Sequence, residues 1–255
     1  MWGALKWLLG LGLIATLAVA AGVSFAFFGA GPQISYVTPE LVPIDLNVTN
    51  PADQAPVNLP AAVILPVPFT SQAPLNNWAQ RQHTCEEASL VMVDRYLHGD
   101  HSGALIDPRT ADAAINLVSS WKPAEDLTSQ QVGDVAKNNM HWAYKLLPSD
   151  QLNMKQQLAL GRPLIMGVRT HGLGNPNYPH YRDHFEEPAY SVAHFIVVIG
   201  YDQNTYVLND PGLTRGASYH IPYEQLMHAL DDHDQAYPSL AAGRIFLVLA
   251  PSVSS

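Results

Sequence analysis

The chain has 255 residues, of which 47% are hydrophobic and 14% charged, and its net charge is −9. Its 13 lysines and arginines are spread singly, without the basic cluster that follows a phosphate backbone, so nucleic acid is excluded as an expected partner. The one cysteine, Cys85, excludes an intramolecular disulfide and leaves a thiol that can react.

The N-terminal segment predicts a membrane anchor. Trp7 to Ala30 carries no charge and, as a helix, is long enough to span about 30 Å of hydrocarbon. Residues 1–30 are therefore a transmembrane anchor or, alternatively, a signal segment cleaved after Ala20, in which case the protein is secreted. Lys6 precedes the span, and no lysine or arginine follows it until Arg81. This asymmetry predicts a single-pass protein of the cell membrane with its N-terminus inside and the rest outside.

Residues 31–66 are rich in proline, which prevents a continuous helix and favours extended backbone. We expect this stretch to be an extracytoplasmic stalk. The folded domain is then expected to cover residues 67–255.

The first helix of the domain is predicted over Thr84 to Leu97. Thr84, followed three residues later by Glu87, matches a capping box, and the apolar residues that follow indicate a buried helix. Cys85 would then be the first helical residue, where unpaired N–H groups and the helix dipole favour a thiolate. The alternative is a cysteine that only packs beneath the helix.

The remaining elements predict an α+β fold, because helices dominate the first half of the domain and strands the second. The predicted helices cover Pro108 to Val118, Ser129 to Met140, Asp150 to Leu160 and Tyr223 to Leu230. The predicted strands cover Leu164 to Val168, Phe195 to Tyr201, Tyr206 to Leu208 and Ile245 to Leu249.

A histidine and an aspartate lie at the ends of two neighbouring predicted strands. His194 precedes the most apolar strand, and Asp210 follows the next one. One hairpin would place the carboxylate beside the imidazole, whose other nitrogen could then serve Cys85 as a base. The alternatives are a buried His–Asp pair without catalytic function and an aspartate that serves only its turn. Asn209 could also orient the histidine.

Several motifs together resemble the bacteriocin-processing-like (C-thirty-nine-like) cysteine peptidases, in that family's order and over roughly Val67 to Val248. The motifs are Val67-Pro68-Phe69-Thr70-Ser71-Gln72-Ala73-Pro74, Trp78, Thr84-Cys85-Glu86-Glu87-Ala88-Ser89-Leu90-Val91-Met92, Lys155-Gln156-Gln157-Leu158, Gly161-Arg162-Pro163-Leu164-Ile165, Ala193-His194-Phe195-Ile196-Val197-Val198-Ile199-Gly200-Tyr201 and Asn209-Asp210-Pro211-Gly212.

The resemblance implies a papain-like fold, with a buried helix carrying the cysteine packed on an antiparallel sheet. It places Cys85, His194 and Asp210 in the triad positions and Gln72 at the oxyanion-hole glutamine. Thr84 stands where the family often has glycine or aspartate, which leaves the subfamily open. No cofactor or metal is implied, and the expected partner is a peptide or protein substrate.

Residues 171–188 form a long predicted loop rich in glycine, proline and aromatic residues, with three histidines and two glutamates. Its position before the His194 strand suggests a polar lid over a substrate cleft. A metal site is the alternative, but no spacing typical of zinc ligands accompanies these residues.

Together these features predict a cysteine peptidase that hydrolyses peptide bonds through an acyl-enzyme outside the cytoplasmic membrane. One alternative keeps the same residues in a cell-wall amidase or an acyltransferase. Another is a catalytically inactive binding domain.

Overall fold

The structure of the chain is a computed structural model, which describes residues 36–37, 39–46, 58–173, 193–236 and 244–252. The predicted anchor of residues 1–30 lies outside these ranges. Within them, no helix combines the length and the apolar character that crossing a membrane requires.

One antiparallel sheet forms the centre of the described residues, with the strand order β2-β7-β3-β4-β5-β6 and with β1 added to β4. Every strand pair in it is antiparallel. The strands are β1 (Val63–Ile64), β2 (Ala143–Pro148), β3 (Leu164–Arg169), β4 (Ala193–Tyr201), β5 (Thr205–Asn209), β6 (Tyr219–Pro222) and β7 (Ile245–Ala250).

Strand β4 lies in the interior of this sheet, and all of its residues after Ala193 are buried. A run of large apolar side chains is what a strand covered on both faces requires. Near its end the register with β5 shifts between Val198 and Gly200, and β1 pairs at the same place. A Cβ on Gly200 would lie 2.3 Å from the carbonyl oxygen of Val63, so only glycine admits β1 this closely.

The helices pack around the sheet, and α1 and β4 are in contact. They are α1 (Cys85–Leu97), α2 (Pro108–Ser119), α3 (Ser129–Asn139), α4 (Gln151–Ala159), the short α5 (Thr170–Leu173) and α6 (Tyr223–Ala236). Side-chain caps explain where three of them begin: Asp107, Thr128 and Asp150 each accept a backbone N–H of the first turn.

The predicted α+β class and the four predicted strands are confirmed, and each predicted helix is present, although the last one extends to Ala236 instead of ending at Leu230. Strands β1, β2 and β6 were not predicted. The predicted capping box of α1 is wrong. Thr84 makes no cap hydrogen bond, because its hydroxyl donates to the carbonyls of Gln72 (3.2 Å) and Arg81 (3.1 Å).

Part of the predicted stalk lies against the domain. We call residues 39–46 the N-terminal strap. Its Ile44 is buried and donates its backbone N–H to the carbonyl of Pro251 at 2.8 Å. The guanidinium of Arg162 donates to the carbonyls of Val42 (2.9 Å) and Pro43 (2.7 Å). A buried arginine needs such acceptors, so the same bonds that satisfy Arg162 hold the strap.

Candidate active site

Cys85 is the first residue of α1, as predicted, and only 7% of its surface is exposed. Its Sγ donates to Oε2 of Glu86 at 3.1 Å. The backbone N–H of Phe195, the residue after His194 on β4, also bonds the sulfur. This contact places the thiol at the start of the strand that carries the histidine.

The surroundings of Cys85 favour the thiol over the thiolate. Burial raises the pKa of Cys85 well above its ordinary value, and the carboxylate of Glu86 raises it further. The Phe195 N–H lowers the pKa but does not outweigh them. The expectation that the helix N-terminus favours a thiolate therefore does not describe this state of the protein.

His194 and Asp210 are bonded side chain to side chain, with 2.6 Å between Nε2 and Oδ1. The register explains this. Val197 lies opposite Asn209, so Asp210 comes diagonally across from His194 on the same face of the β4–β5 pair. Both side chains are buried. Because an ionised carboxylate can only accept, Nε2 carries a hydrogen and Nδ1 is the basic nitrogen of the neutral ring.

Asp210 is oriented by three donors. Its Oδ1 accepts the His194 ring and the backbone N–H of Gly212 (2.9 Å), and its Oδ2 accepts the hydroxyl of the fully buried Tyr219 (3.2 Å). The neighbouring Asn209 does not serve the histidine. Its amide donates to the carbonyl of Val67 (3.2 Å) and accepts the N–H of Ser218 (2.9 Å). The structure thus distinguishes two residues that the sequence left as alternatives.

Gly212 leaves room for the imidazole. A Cβ at this position would lie 2.8 Å from Cε1 and 2.9 Å from Nε2 of His194. The turn that carries Asp210 therefore approaches the ring too closely for any side chain at Gly212.

Gln72, the predicted oxyanion-hole residue, is fully buried and connects both sides of the site. Its backbone N–H donates to the carbonyl of Pro211 (2.8 Å), and its carbonyl accepts the hydroxyl of Thr84. Its Nε2 donates to the carbonyls of Arg81 (2.6 Å) and Gln82 (3.3 Å). The amide N–H groups are therefore engaged with backbone, and a role toward an oxyanion would require the side chain to turn.

Two glutamates at the start of α1 were not recognised as site residues. Glu86 is 2% exposed, bonds the Cys85 sulfur and accepts the N–H of Leu127 at 2.9 Å. Glu87 accepts Nζ of Lys122 at 3.0 Å and the hydroxyl of Ser119 at 2.7 Å. The available signal was two adjacent acidic residues in a helix predicted to be buried, because buried carboxylates require partners.

The predicted loop 171–188 falls largely outside the described residues, which end at Leu173 and resume at Ala193. Its proposed role as a lid is thus untested. Within the described ranges, no group of three or more histidine, cysteine, aspartate or glutamate side chains could hold a metal ion.

A buried thiol on a helix N-terminus, next to a strand that holds a His–Asp pair, is an arrangement suited to thiol-based hydrolysis. The sequence profile of the Peptidase_C39 like family matches residues 64–238. The chain belongs to this family and is a cysteine-type peptidase. A comparison with curated proteins gives no match.

Three solved structures are similar to the chain. A protein from Bacillus anthracis described as a C39-like peptidase has 17% identity and a TM-score of 0.48, and the match covers 76% of this chain and 99% of that one. The peptidase domain of Streptococcus ComA, a bifunctional ABC transporter, has 15% identity and a TM-score of 0.40, with 67% and 93% covered. Xylellain, a cysteine protease from Xylella fastidiosa, has 12% identity and a TM-score of 0.34, with 88% and 100% covered.

Proposed function

We propose that the chain hydrolyses peptide bonds through a triad in which Cys85 is the nucleophile, His194 the base and Asp210 the residue that orients the base. The observation that carries the proposal is the 2.6 Å bond between His194 and Asp210, with His194 on β4, the strand that contacts the helix bearing Cys85. Because Asp210 bonds Nε2 of the His194 ring, Nδ1 is the nitrogen that takes and gives the proton.

The reaction begins when Nδ1 of His194 takes the thiol proton and Sγ of Cys85 attacks the scissile carbonyl. The protonated imidazole then gives its proton to the leaving amine, and the acyl group remains on sulfur as a thioester. Water, activated by the neutral ring, releases the acid and restores the thiol. Asp210 stays ionised and stabilises the imidazolium in both steps.

Gln72 is the proposed donor to the oxyanion, together with the backbone N–H of Cys85. This role is supported by the position of Gln72, whose backbone bonds Thr84, the residue before Cys85, and Pro211, the residue after Asp210. To do so, the side-chain amide must give up its bonds to Arg81 and Gln82 and donate to the oxyanion instead. We propose that this change of partners occurs when substrate is bound.

We further propose that the peptidase domain acts outside the cytoplasmic membrane, on peptide or protein substrates, and that residues 1–30 anchor it. The support is the uncharged run from Trp7 to Ala30 and the position of Lys6 before it. N-terminal sequencing of the mature protein tests this. A start at Met1 fits an anchor, whereas a start near Ala21 means release.

Activity is tested by incubating the full chain with a mixture of unstructured peptides and identifying new termini by mass spectrometry. Wild-type protein should produce new termini, and Cys85→Ala and His194→Ala should produce none above background. Products extended by an added amine would instead indicate acyl transfer. Cleavage that persists in Cys85→Ala contradicts the proposal.

A further inference from the structure

A carboxylate lies directly on the sulfur of the proposed nucleophile. Oε2 of Glu86 is 3.1 Å from Sγ of Cys85, and both residues are buried, at 2% and 7% exposure. The other oxygen, Oε1, is fixed by the backbone N–H of Leu127 at 2.9 Å. The carboxylate is therefore anchored from a second element and directed at the thiol.

The charges around Cys85 and Glu86 do not favour a Cys85 thiolate beside the Glu86 carboxylate. Glu87 adds a carboxylate on the same helix. The nearby cation, Lys122, donates to Glu87 at 3.0 Å and to the backbone carbonyls of His83 and Glu125. From β4 the pair faces the N–H of Phe195, the residue after the proposed base His194, which is itself bonded to Asp210.

We propose that Glu86 restrains the nucleophile: its carboxylate accepts a hydrogen bond from the Cys85 thiol, holds the thiol in its protonated form and so opposes the transfer of that proton to His194. This inference rests on the proposed function, because it concerns the nucleophile of that reaction. The proton on Sγ points to Oε2 of Glu86 in the resting state and passes to Nδ1 of His194 when the thiolate forms. Glu86 stays ionised before and after this transfer.

The electrostatics of the pair agree with this role. Burial, followed by the charge of Glu86, raises the pKa of Cys85, and burial followed by the charge of Glu87 raises the pKa of Glu86. The thiol bond acts in the opposite sense on Glu86 and lowers its pKa, as expected when a donor stabilises a carboxylate. The pair thus resists holding two negative charges, and the thiol keeps its proton.

The test is the rate at which iodoacetamide alkylates the full chain between pH 5 and pH 11, followed by intact mass. Cys85 is the only cysteine, so thiol alkylation reports on it alone. Glu86→Gln removes the charge and keeps an oxygen acceptor for Leu127. Glu86→Met removes the charge with a side chain of similar length, and a melting curve for each variant verifies that it is folded.

Both variants should move the midpoint of the alkylation profile to lower pH by about one unit or more. For each unit by which the midpoint falls, the thiolate fraction at pH 7 rises about tenfold, while the intrinsic reactivity of the thiolate falls about threefold. The alkylation rate at pH 7 should therefore rise about threefold. Above both midpoints the wild type should react about threefold faster, so the two profiles cross. A residue that acts only on folding would not produce a crossing.

Glu87→Gln is the matched control, because Glu87 is an equally buried carboxylate one residue away that bonds Lys122 instead of the sulfur. Its midpoint should move less than that of either Glu86 variant. An unchanged or higher midpoint in folded Glu86→Gln and Glu86→Met overturns the inference, as does an equal shift in Glu87→Gln. His194→Ala is measured separately: if its profile matches the wild type, the proposed function fails whatever the Glu86 variants do.

Discussion

Replacing Gly212 by alanine should misplace the imidazole of His194 without straining the backbone. Gly212 does not adopt a left-handed φ, so alanine is acceptable there by conformation. The added Cβ would lie 2.8 Å from Cε1 of His194 and 3.2 Å from Oδ1 of Asp210. Ordinary carbon contacts begin near 3.4 Å, so the ring must move by roughly 0.6 Å.

A shift of this size acts on a short bond. The 2.6 Å separation of Nε2 and Oδ1 would lengthen toward the limit of a good hydrogen bond, and Nδ1 would move relative to the sulfur. Because a misplacement of about 1 Å can cost about a hundredfold in rate, we expect Gly212→Ala to lose about tenfold to a hundredfold. The assay is the alkylation rate of the full chain by a dipeptidyl chloromethyl ketone at pH 7, measured by intact mass, with Cys85→Ser to exclude modification of other residues.

Gly200→Ala is the comparison, because its Cβ would meet the carbonyl of Val63 instead of the ring. This variant should lower the melting temperature while its folded molecules keep the wild-type alkylation rate. If folded Gly212→Ala reacts within twofold of the wild type, the close approach of the turn does not position His194 and the reasoning is refuted.

Three further predictions concern other hydrogen bonds and ion pairs of the fold. Tyr219→Phe removes the hydroxyl bonded to Asp210 and should slow the chloromethyl ketone reaction about threefold to tenfold, whereas an unchanged rate would show that Asp210 is held without it. Arg162→Met removes the donors that hold the N-terminal strap. Proteases should then cleave the strap earlier than in the wild type, and the melting temperature should fall by several degrees while the alkylation rate stays unchanged. Proteolysis of the strap at the wild-type rate would contradict this prediction. Burial raises the pKa of Asp112, but hydrogen bonds from a neighbouring amide and from Arg81 outweigh it and hold the pKa below its usual value. The Arg81–Asp112 ion pair therefore stabilises the fold above about pH 4, and this stabilisation is lost as the pH falls through the lowered pKa. Acid unfolding of Asp112→Asn should accordingly lose less stability than the wild type over that range, and parallel curves would contradict the assignment.

The sequence predicted the His–Asp pair because strand ends are readable from local composition. A run of apolar residues after His194 and a turn after Asp210 mark the ends of adjacent antiparallel strands, and short connections bring such ends together. The choice between Asn209 and Asp210 was beyond this reasoning. It depends on which of the two side chains lies on the same face of the β4–β5 pair as His194, and this is known only once the register of the two strands is known.

The role of Glu86 was missed for a related reason. Acidic residues in a first helical turn usually serve the helix dipole, and this explains Glu86 and Glu87 without reference to a partner. Only the packing of α1 against its neighbours shows that one carboxylate meets the sulfur and the other meets Lys122. The strands β1 and β6, of two and four residues, escaped prediction because strands this short are made stable by their neighbours in the sheet.

The N-terminal strap illustrates the limit of composition. Its prolines correctly exclude a helix, but they do not say whether an extended segment is solvated or bound. The answer came from Arg162, whose guanidinium takes the strap carbonyls as partners. An arginine with a long sequence separation from its acceptors leaves no local signal.

The measurement that tests the central claim most directly is the pH dependence of alkylation by the dipeptidyl chloromethyl ketone, for the wild type and His194→Ala in the full chain. We predict that wild-type Cys85 reacts faster than glutathione at pH 7 and that His194→Ala loses about a hundredfold, with the loss largest near neutral pH. If Cys85 reacts no faster than glutathione and His194→Ala matches the wild type at every pH, then Cys85, His194 and Asp210 do not act as a catalytic unit.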